Sequence, residues 1–285
     1  MKKFLNFLKN LLICIVKDDF PGMAGEMAFI FTMALFPFLI FLVALFGIIG
    51  TESQIELILT SLKGIIPLDI MSILETLLKS IVKSSSNGMM TFGLITSLFI
   101  ASNATAVIIK GLNRAFNIKE TRPYWYTRWL SIVMVVTNAF IMFLGANLII
   151  FGKTILQLIA FYIHLPHQFI NIVLLIRWPI AFLALYTLAF LNYYFMPNIA
   201  GEKKLRLLST LPGSLFFCAF WMFASWAFSL YVENFGMFNR VYGTIGGFAV
   251  LLLWLYYTSL IILIGGEINS QAYKRLSEKS QCANT

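Results

Sequence analysis

Six stretches of the chain carry no Asp, Glu, Lys or Arg over 22 to 26 residues each: 27–50, 88–109, 129–152, 178–201, 207–232 and 241–266. A helix crossing the hydrocarbon core of a bilayer needs ~20 apolar residues. Each run is long enough, and the pattern predicts six transmembrane helices. A further uncharged run, 154–176, is interrupted by His164-Leu165-Pro166-His167-Gln168. That interruption reads as an outer turn, with the third helix continuing past Lys153 and the fourth beginning near Phe169. An eight-span arrangement is the alternative. The fold class predicted is all-α, a polytopic membrane bundle with amphipathic interfacial helices, built as a single domain over residues 1–285.

The shorter patterns are amphipathic. Phe4, Leu8, Leu11 and Ile15 recur at helical spacing, with Leu5, Leu12 and Val16 beside them, and lysines occupy the other positions. This describes a helix within residues 1–25 that lies on the inner leaflet or packs against the bundle. Within 51–87, Ile70, Ile73, Leu74, Leu77, Leu78, Ile81 and Val82 form an apolar stripe opposite Asp69, Glu75, Lys79 and Lys83, and Pro67 separates this helix from a shorter one. These are predicted to be outer interfacial helices. Residues 267–285 form a polar tail.

Composition agrees with the runs. Of 285 residues, 60% are hydrophobic and 12% charged, with 28 Phe, against ~45–50% and ~25% in ordinary soluble domains. The mean hydropathy is +0.86. A soluble domain of this size cannot hide so much apolar surface. The net charge of +9 is explained by where its lysines and arginines fall. Fourteen flank the runs on the side of the termini, in the N-terminal segment, the 111–128 connection, the 202–206 connection and the tail, with Lys110 at the end of the second run on the same side; six flank the other side. By the positive-inside rule both termini are cytoplasmic. This asymmetry leaves no charge excess to attribute to nucleic acid, which is not an expected partner. Membrane lipids are, together with envelope protein partners.

Catalytic constellations are scarce. The two histidines, His164 and His167, share one turn with Pro166, and the three cysteines, Cys14, Cys218 and Cys282, form no Cys-x-x-Cys pair. Gly243, Gly246 and Gly247 lack the Lys-Ser/Thr of a phosphate loop. No enzyme activity, metal or cofactor is expected, and any transport proceeds without an ATPase in this chain. What remains is polar chemistry in or beside the spans: Glu26, Asn103, Thr105, Lys110, Asn113, Asn138, Asn147, Asn192, Ser225, Glu267 and Asn269. Such groups in lipid face a bundle interior or water, and interhelical hydrogen bonding is their ordinary role. Pro37 and Pro212 lie within spans, and Pro179 is placed at a helix start. A candidate cavity or substrate path is drawn through Asn103, Lys110, Asn113, Arg114, Arg122, Asn138, Asn192 and Glu267. Asn113, Arg114, Arg122 and Glu267 are expected at its cytoplasmic mouth, with an Arg–Glu pair closing it and phosphate competing for the arginine.

Several segments, taken in order, resemble a known family. Met23-Ala24-Gly25-Glu26-Met27-Ala28-Phe29 with Leu35-Phe36-Pro37, then Gly111-Leu112-Asn113-Arg114-Ala115-Phe116 with Arg122, then Val241-Tyr242-Gly243-Thr244-Ile245-Gly246 and Leu253-Trp254-Leu255-Tyr256, and finally Ile264-Gly265-Gly266-Glu267-Ile268-Asn269 are similar to the YihY/virulence factor BrkB family of bacterial inner-membrane proteins. Gly25 departs from the pattern, where alanine is expected. The resemblance implies six membrane helices in the bacterial cytoplasmic (inner) membrane and a link to envelope lipid homeostasis and phospholipid movement. The family's former ribonuclease BN label finds no support in this chain. Metal-dependent cleavage needs clustered histidines and carboxylates, and the expected cytoplasmic segments hold no histidine.

Overall fold

A computed structural model describes residues 2–49, 87–150, 167–199, 203–234 and 236–283. Among these residues the chain is all helix, with no strand. In order the helices are α1 Lys2–Lys17, α2 Phe20–Ile49, α3 Asn87–Ala115, α4 Tyr124–Ile150, α5 His167–Phe195, α6 Lys203–Asn234 and α7 Gly236–Ala283. The expected outer helices of 51–87, apart from Asn87, which opens α3, and residues 164–166 of the expected turn fall outside the described residues; His167 and Gln168 of that turn open a helix instead.

Two helical stretches, Lys204–Leu230 and Gly246–Ser280, are long and apolar enough to cross a membrane, with mean hydropathies of 1.6 and 2.2. Only 33% and 11% of their most apolar windows are buried within the chain. The core helix of a soluble protein would be mostly covered; these expose apolar side chains such as Leu215, Phe223 and Trp226 of α6 and Phe248 and Tyr257 of α7. Five hydroxyls on the helices satisfy themselves locally. Thr32, Ser131, Thr210, Ser214 and Ser259 each donate to the carbonyl four residues back, at 2.8–2.9 Å, which removes an unpaired donor from apolar surroundings.

Pro179 lies well inside α5 rather than at its start. The helix runs back through Arg177 to His167, and no glycine or proline interrupts 167–177. A proline inside a membrane helix is tolerated where neighbouring helices re-satisfy the freed backbone.

The chain divides into two compact units. One comprises Pro21–Ile108 and Ala224–Leu260, the other Met1–Phe20, Ile109–Phe223 and Ile261–Thr285. In the first, Met23, Ala24, Met27 and Ala28 of α2 are buried, while a methyl group added at Gly25 meets nothing within 4 Å, so the departure there has no packing cost.

The second unit contains the polar architecture. α4 and α5 are joined by a reciprocal amide pair, with Asn138 Nδ2 donating to Asn192 Oδ1 and Asn192 Nδ2 to Asn138 Oδ1, each at 3.0 Å. α5 meets α7 where Tyr193, 2% exposed, donates its hydroxyl to the Ile262 carbonyl at 2.9 Å. α6 meets α7 at a seam of small residues. Pro212 has no N–H for the helix ladder, and the next N–H, that of Gly213, donates to Asn269 Oδ1 at 2.6 Å. Gly266 lies against Leu112 of α3, where an added Cβ would stand 2.7 Å from Leu112 Cδ2. Small residues let membrane helices approach this closely.

α1 is amphipathic and uses both faces. Leu11 is buried and Phe7 lies under the Arg275 guanidinium of α7, 5.2 Å from the ring centre. Leu12, Ile13 and Val16 are exposed, Val16 at 78%. Packing against the bundle thus describes one side of this helix, and an apolar strip remains for an interface on the other.

Candidate functional site

The candidate site forms where the connection after α3 meets the carboxyl end of α5. Asn117, with φ of 56°, ends α3 in the left-handed region that asparagine tolerates. The Asn117 N–H returns to the Arg114 carbonyl and the Ile118 N–H to the Asn113 carbonyl, each at 2.9 Å. This is a Schellman cap. It turns the chain so that residues 119–122 pass beside the side chain of Asn113.

Asn113 is 4% exposed and uses both ends of its amide. Its Nδ2 donates to Glu120 Oε2 at 2.8 Å, and its Oδ1 accepts from the Asn198 N–H at 2.8 Å. Glu120 also accepts from the Arg122 backbone N–H at 3.0 Å and from its guanidinium at 2.8 and 2.6 Å. Burial pushes the Glu120 carboxyl up, but the hydrogen bonds from Arg122 and Asn113 and the nearby charge of Arg122 outweigh it and hold the group below its ordinary value. Asn198 closes the ring by donating to Thr121 Oγ1 at 2.8 Å.

α5 ends at Phe195 ahead of Pro197. No glycine follows to form a cap, so its last carbonyls need donors from elsewhere. Two arginines supply donors to the carbonyl of Tyr194 in the last turn and to those of Met196 and Pro197 just beyond it. Arg122 donates to the Met196 carbonyl at 2.7 Å. Arg206, from the first turns of α6, donates to the carbonyls of Tyr194 and Pro197 and lies 4.8 Å from the Tyr194 ring centre. Cations at a helix carboxyl end also complement its dipole. Arg206 Nε is buried without a hydrogen-bond partner. Both guanidiniums line a cavity of about 470 Å³ with Tyr126, Tyr194, Phe195 and Asn198. A second hollow of about 460 Å³, walled by Phe182, Leu183, Tyr186, Leu211, Pro212 and Leu215, lies on the same two helices, α5 and α6. Tyr124, Trp125, Tyr126 and Trp129 at the start of α4 are 55–79% exposed, the amphipathic belt that membrane proteins place at the headgroup level.

The structure gathers some of the sequence-derived residues and separates others. Asn113 and Arg122 belong to one network. Asn138 and Asn192 form their own pair between helices. Lys110 and Arg114 are exposed on α3. Asn103 is exposed too and belongs to the other unit. Glu267 is 1% exposed and accepts from Gln271 at 3.0 Å. The carboxylate that pairs with Arg122 is Glu120, two residues away, and not Glu267. Sequence reasoning passed over Glu120, Asn198 and Arg206. The signal for the arginines was Pro197 following a helix with no glycine cap.

An apolar helical chain with such polar stitching and exposed aromatic flanks is a membrane protein, and known proteins specify which kind. Residues 14–284 match the family model described as Virulence factor BrkB, and the chain belongs to that family. A protein named as ribonuclease-like, YfkH, of Bacillus subtilis (strain 168), is 31% identical over 271 residues, 95% of this chain and 96% of that one. A UPF0761 membrane protein of Pseudoalteromonas translucida (strain TAC 125) is 25% identical over 263 residues, 90% of this chain and 82% of its own. No solved structure matches.

Proposed function

We propose that this protein handles phospholipid in the bacterial inner membrane, as a six-span bundle with both termini cytoplasmic and no ATPase of its own. The observation that supports this reading is the pairing of cavities on α5 and α6. One offers two guanidiniums, those of Arg122 and Arg206, the charged forks that suit a phosphate. The other is walled by apolar side chains. Tyr186 and Tyr194 are eight residues apart on α5, ~12 Å at the rise of a helix, a separation that suits a headgroup and the upper part of its acyl chain. Glu120 competes with a phosphate for Arg122, so headgroup binding loosens a contact within the cap.

The test is retention and flux of fluorescent phosphatidylglycerol in reconstituted vesicles. A charge-assisted hydrogen bond is worth ~1.5–3 kcal/mol, so Arg206→Gln should weaken retention about tenfold or more. Leu183→Trp, which fills the apolar hollow without touching the arginines, should slow flux with the fold intact. Normal flux in both variants would remove the site. If the unaltered protein binds lipid and moves none, the scaffold reading, in which it recruits envelope proteins, takes its place.

Topology is tested separately. With the charge split of fourteen against six, a reporter fused after Thr285 should be active in the cytoplasm and one inserted near Ser85 outside. An external carboxyl terminus overturns the arrangement.

A further inference from the structure

In the same unit as the arginine cavity, the end of α1 meets α7. Cys14 and Asp18 stand four residues apart, so they share one face of α1. Glu267 comes from α7. The Cys14 sulfur and one carboxylate oxygen from each of Asp18 and Glu267 all lie within 4.8 Å of one another. Two further observations describe the surroundings of these donors. Glu267 is 1% exposed; its hydrogen bonds come from the Gln271 amide at 3.0 Å and the Cys14 thiol, and it feels the positive charge of Lys274 against the negative charge of Asp18. A buried carboxylate is costly unless a cation or a proton accompanies it. One turn further along α7, on the same side of the helix as Glu267, the Ser270 hydroxyl is 1% exposed and has no hydrogen-bond partner.

We propose that Cys14, Asp18 and Glu267 form a binding site for a divalent transition-metal ion of the zinc type, which fastens α1 to α7. The donor set decides the class of ion. Calcium and magnesium take oxygen ligands, whereas a thiolate with carboxylates suits zinc. Zinc–sulfur and zinc–oxygen bonds of ~2.3 and ~2.0–2.2 Å place tetrahedral ligand atoms ~3.5 Å apart. Small side-chain rotations close the present spacing to that value. Binding the ion releases the thiol proton to water, and the sulfur exchanges its hydrogen bond to Glu267 for a bond to the metal. The fourth position falls to water or to the Ser270 hydroxyl.

The test uses the full chain, purified in detergent and stripped with a chelator, with cobalt(II) as the spectroscopic probe. One equivalent should give thiolate-to-cobalt charge-transfer absorption and the visible bands of a tetrahedral ion. Cys14→Ser should abolish the charge-transfer band, while Cys218→Ser and Cys282→Ser keep it. Zinc should displace cobalt. Since loss of an outer-shell partner already weakens metal binding ~10–100-fold, Asp18→Asn and Glu267→Gln should lower zinc affinity by at least about tenfold. Glu278→Gln, in the tail, should leave it unchanged. Asp18 is half-buried, so its variant keeps the test open if Glu267→Gln fails to fold. The site is overturned if no cobalt spectrum forms, if the spectrum survives Cys14→Ser, or if zinc affinity is unaffected by Asp18→Asn.

Discussion

Replacing Gly213 by alanine should destabilise the protein more than any other single methyl group added to the described seam. The new Cβ would collide with the Gly265 carbonyl and with the side-chain oxygen of Asn269. The first of these is helix backbone and cannot swing aside. Adding a methylene to a packed interior typically costs ~1–3 kcal/mol. Here the same displacement also pulls the Gly213 N–H from Asn269 Oδ1, and Asn269 is fully buried with its Nδ2 already unpartnered. A total of about 3–4 kcal/mol follows from overpacking and one lost hydrogen bond. Thermal unfolding in detergent measures it. Gly25→Ala is the control, since a methyl there meets nothing. Equal unfolding temperatures for the two variants would mean that α6 and α7 are not seated as described.

The second large effect is expected at Asn113. Alanine there removes the acceptor of the Asn198 N–H and one donor to Glu120. Leaving a buried group unsatisfied costs ~1–3 kcal/mol, so Asn113→Ala should destabilise the protein by about 2–3 kcal/mol. The 117–122 connection loses its anchor to the end of α5, and Arg122 its fixed position. Limited proteolysis should then cut between Asn117 and Pro123, where the unaltered chain resists. Asn113→Asp distinguishes the roles of the two amide ends. It keeps the acceptor for Asn198 and sets a second carboxylate against Glu120, so it should fail at neutral pH and recover as acid protonates the pair. A variant as stable and as protease-resistant as the parent would dismiss the network.

Much of this was legible in the sequence because apolar runs and helical periods are local. The amphipathic spacing of Leu11 and Ile15 placed α1, and the absence of charge located the bodies of α2 to α7. Asn138 and Asn192 were legible as interhelical amides, since a polar group among apolar ones must find a partner. Their pairing with each other was not, because it depends on the rotation of two helices about their axes. Glu120 was hidden for a related reason. In a connection read only for its positive charges it is one acid among four bases, and its role arises from the turn at Asn117. Cys14 and Glu267 lie at opposite ends of the chain, and no spacing rule joins them. Pro179 misled because proline is common at helix starts, while the helix here begins at His167.

The clamping of Arg122 on the Met196 carbonyl and of Arg206 on those of Tyr194 and Pro197 bears on the selectivity of the proposed phosphate site. A long side chain loses up to ~2 kcal/mol of rotamer entropy when it is fixed. In this protein that loss occurs at folding, so an arriving anion meets guanidiniums whose planes are already set. Two rigid forks reward an anion whose oxygens match their directions, as those of a tetrahedral phosphate do. The carbonyl end of α5 meanwhile offsets part of their positive field, so a spherical ion such as chloride gains little there. Discrimination at this site should therefore come from shape, and phosphate should outcompete chloride by more than charge alone would give.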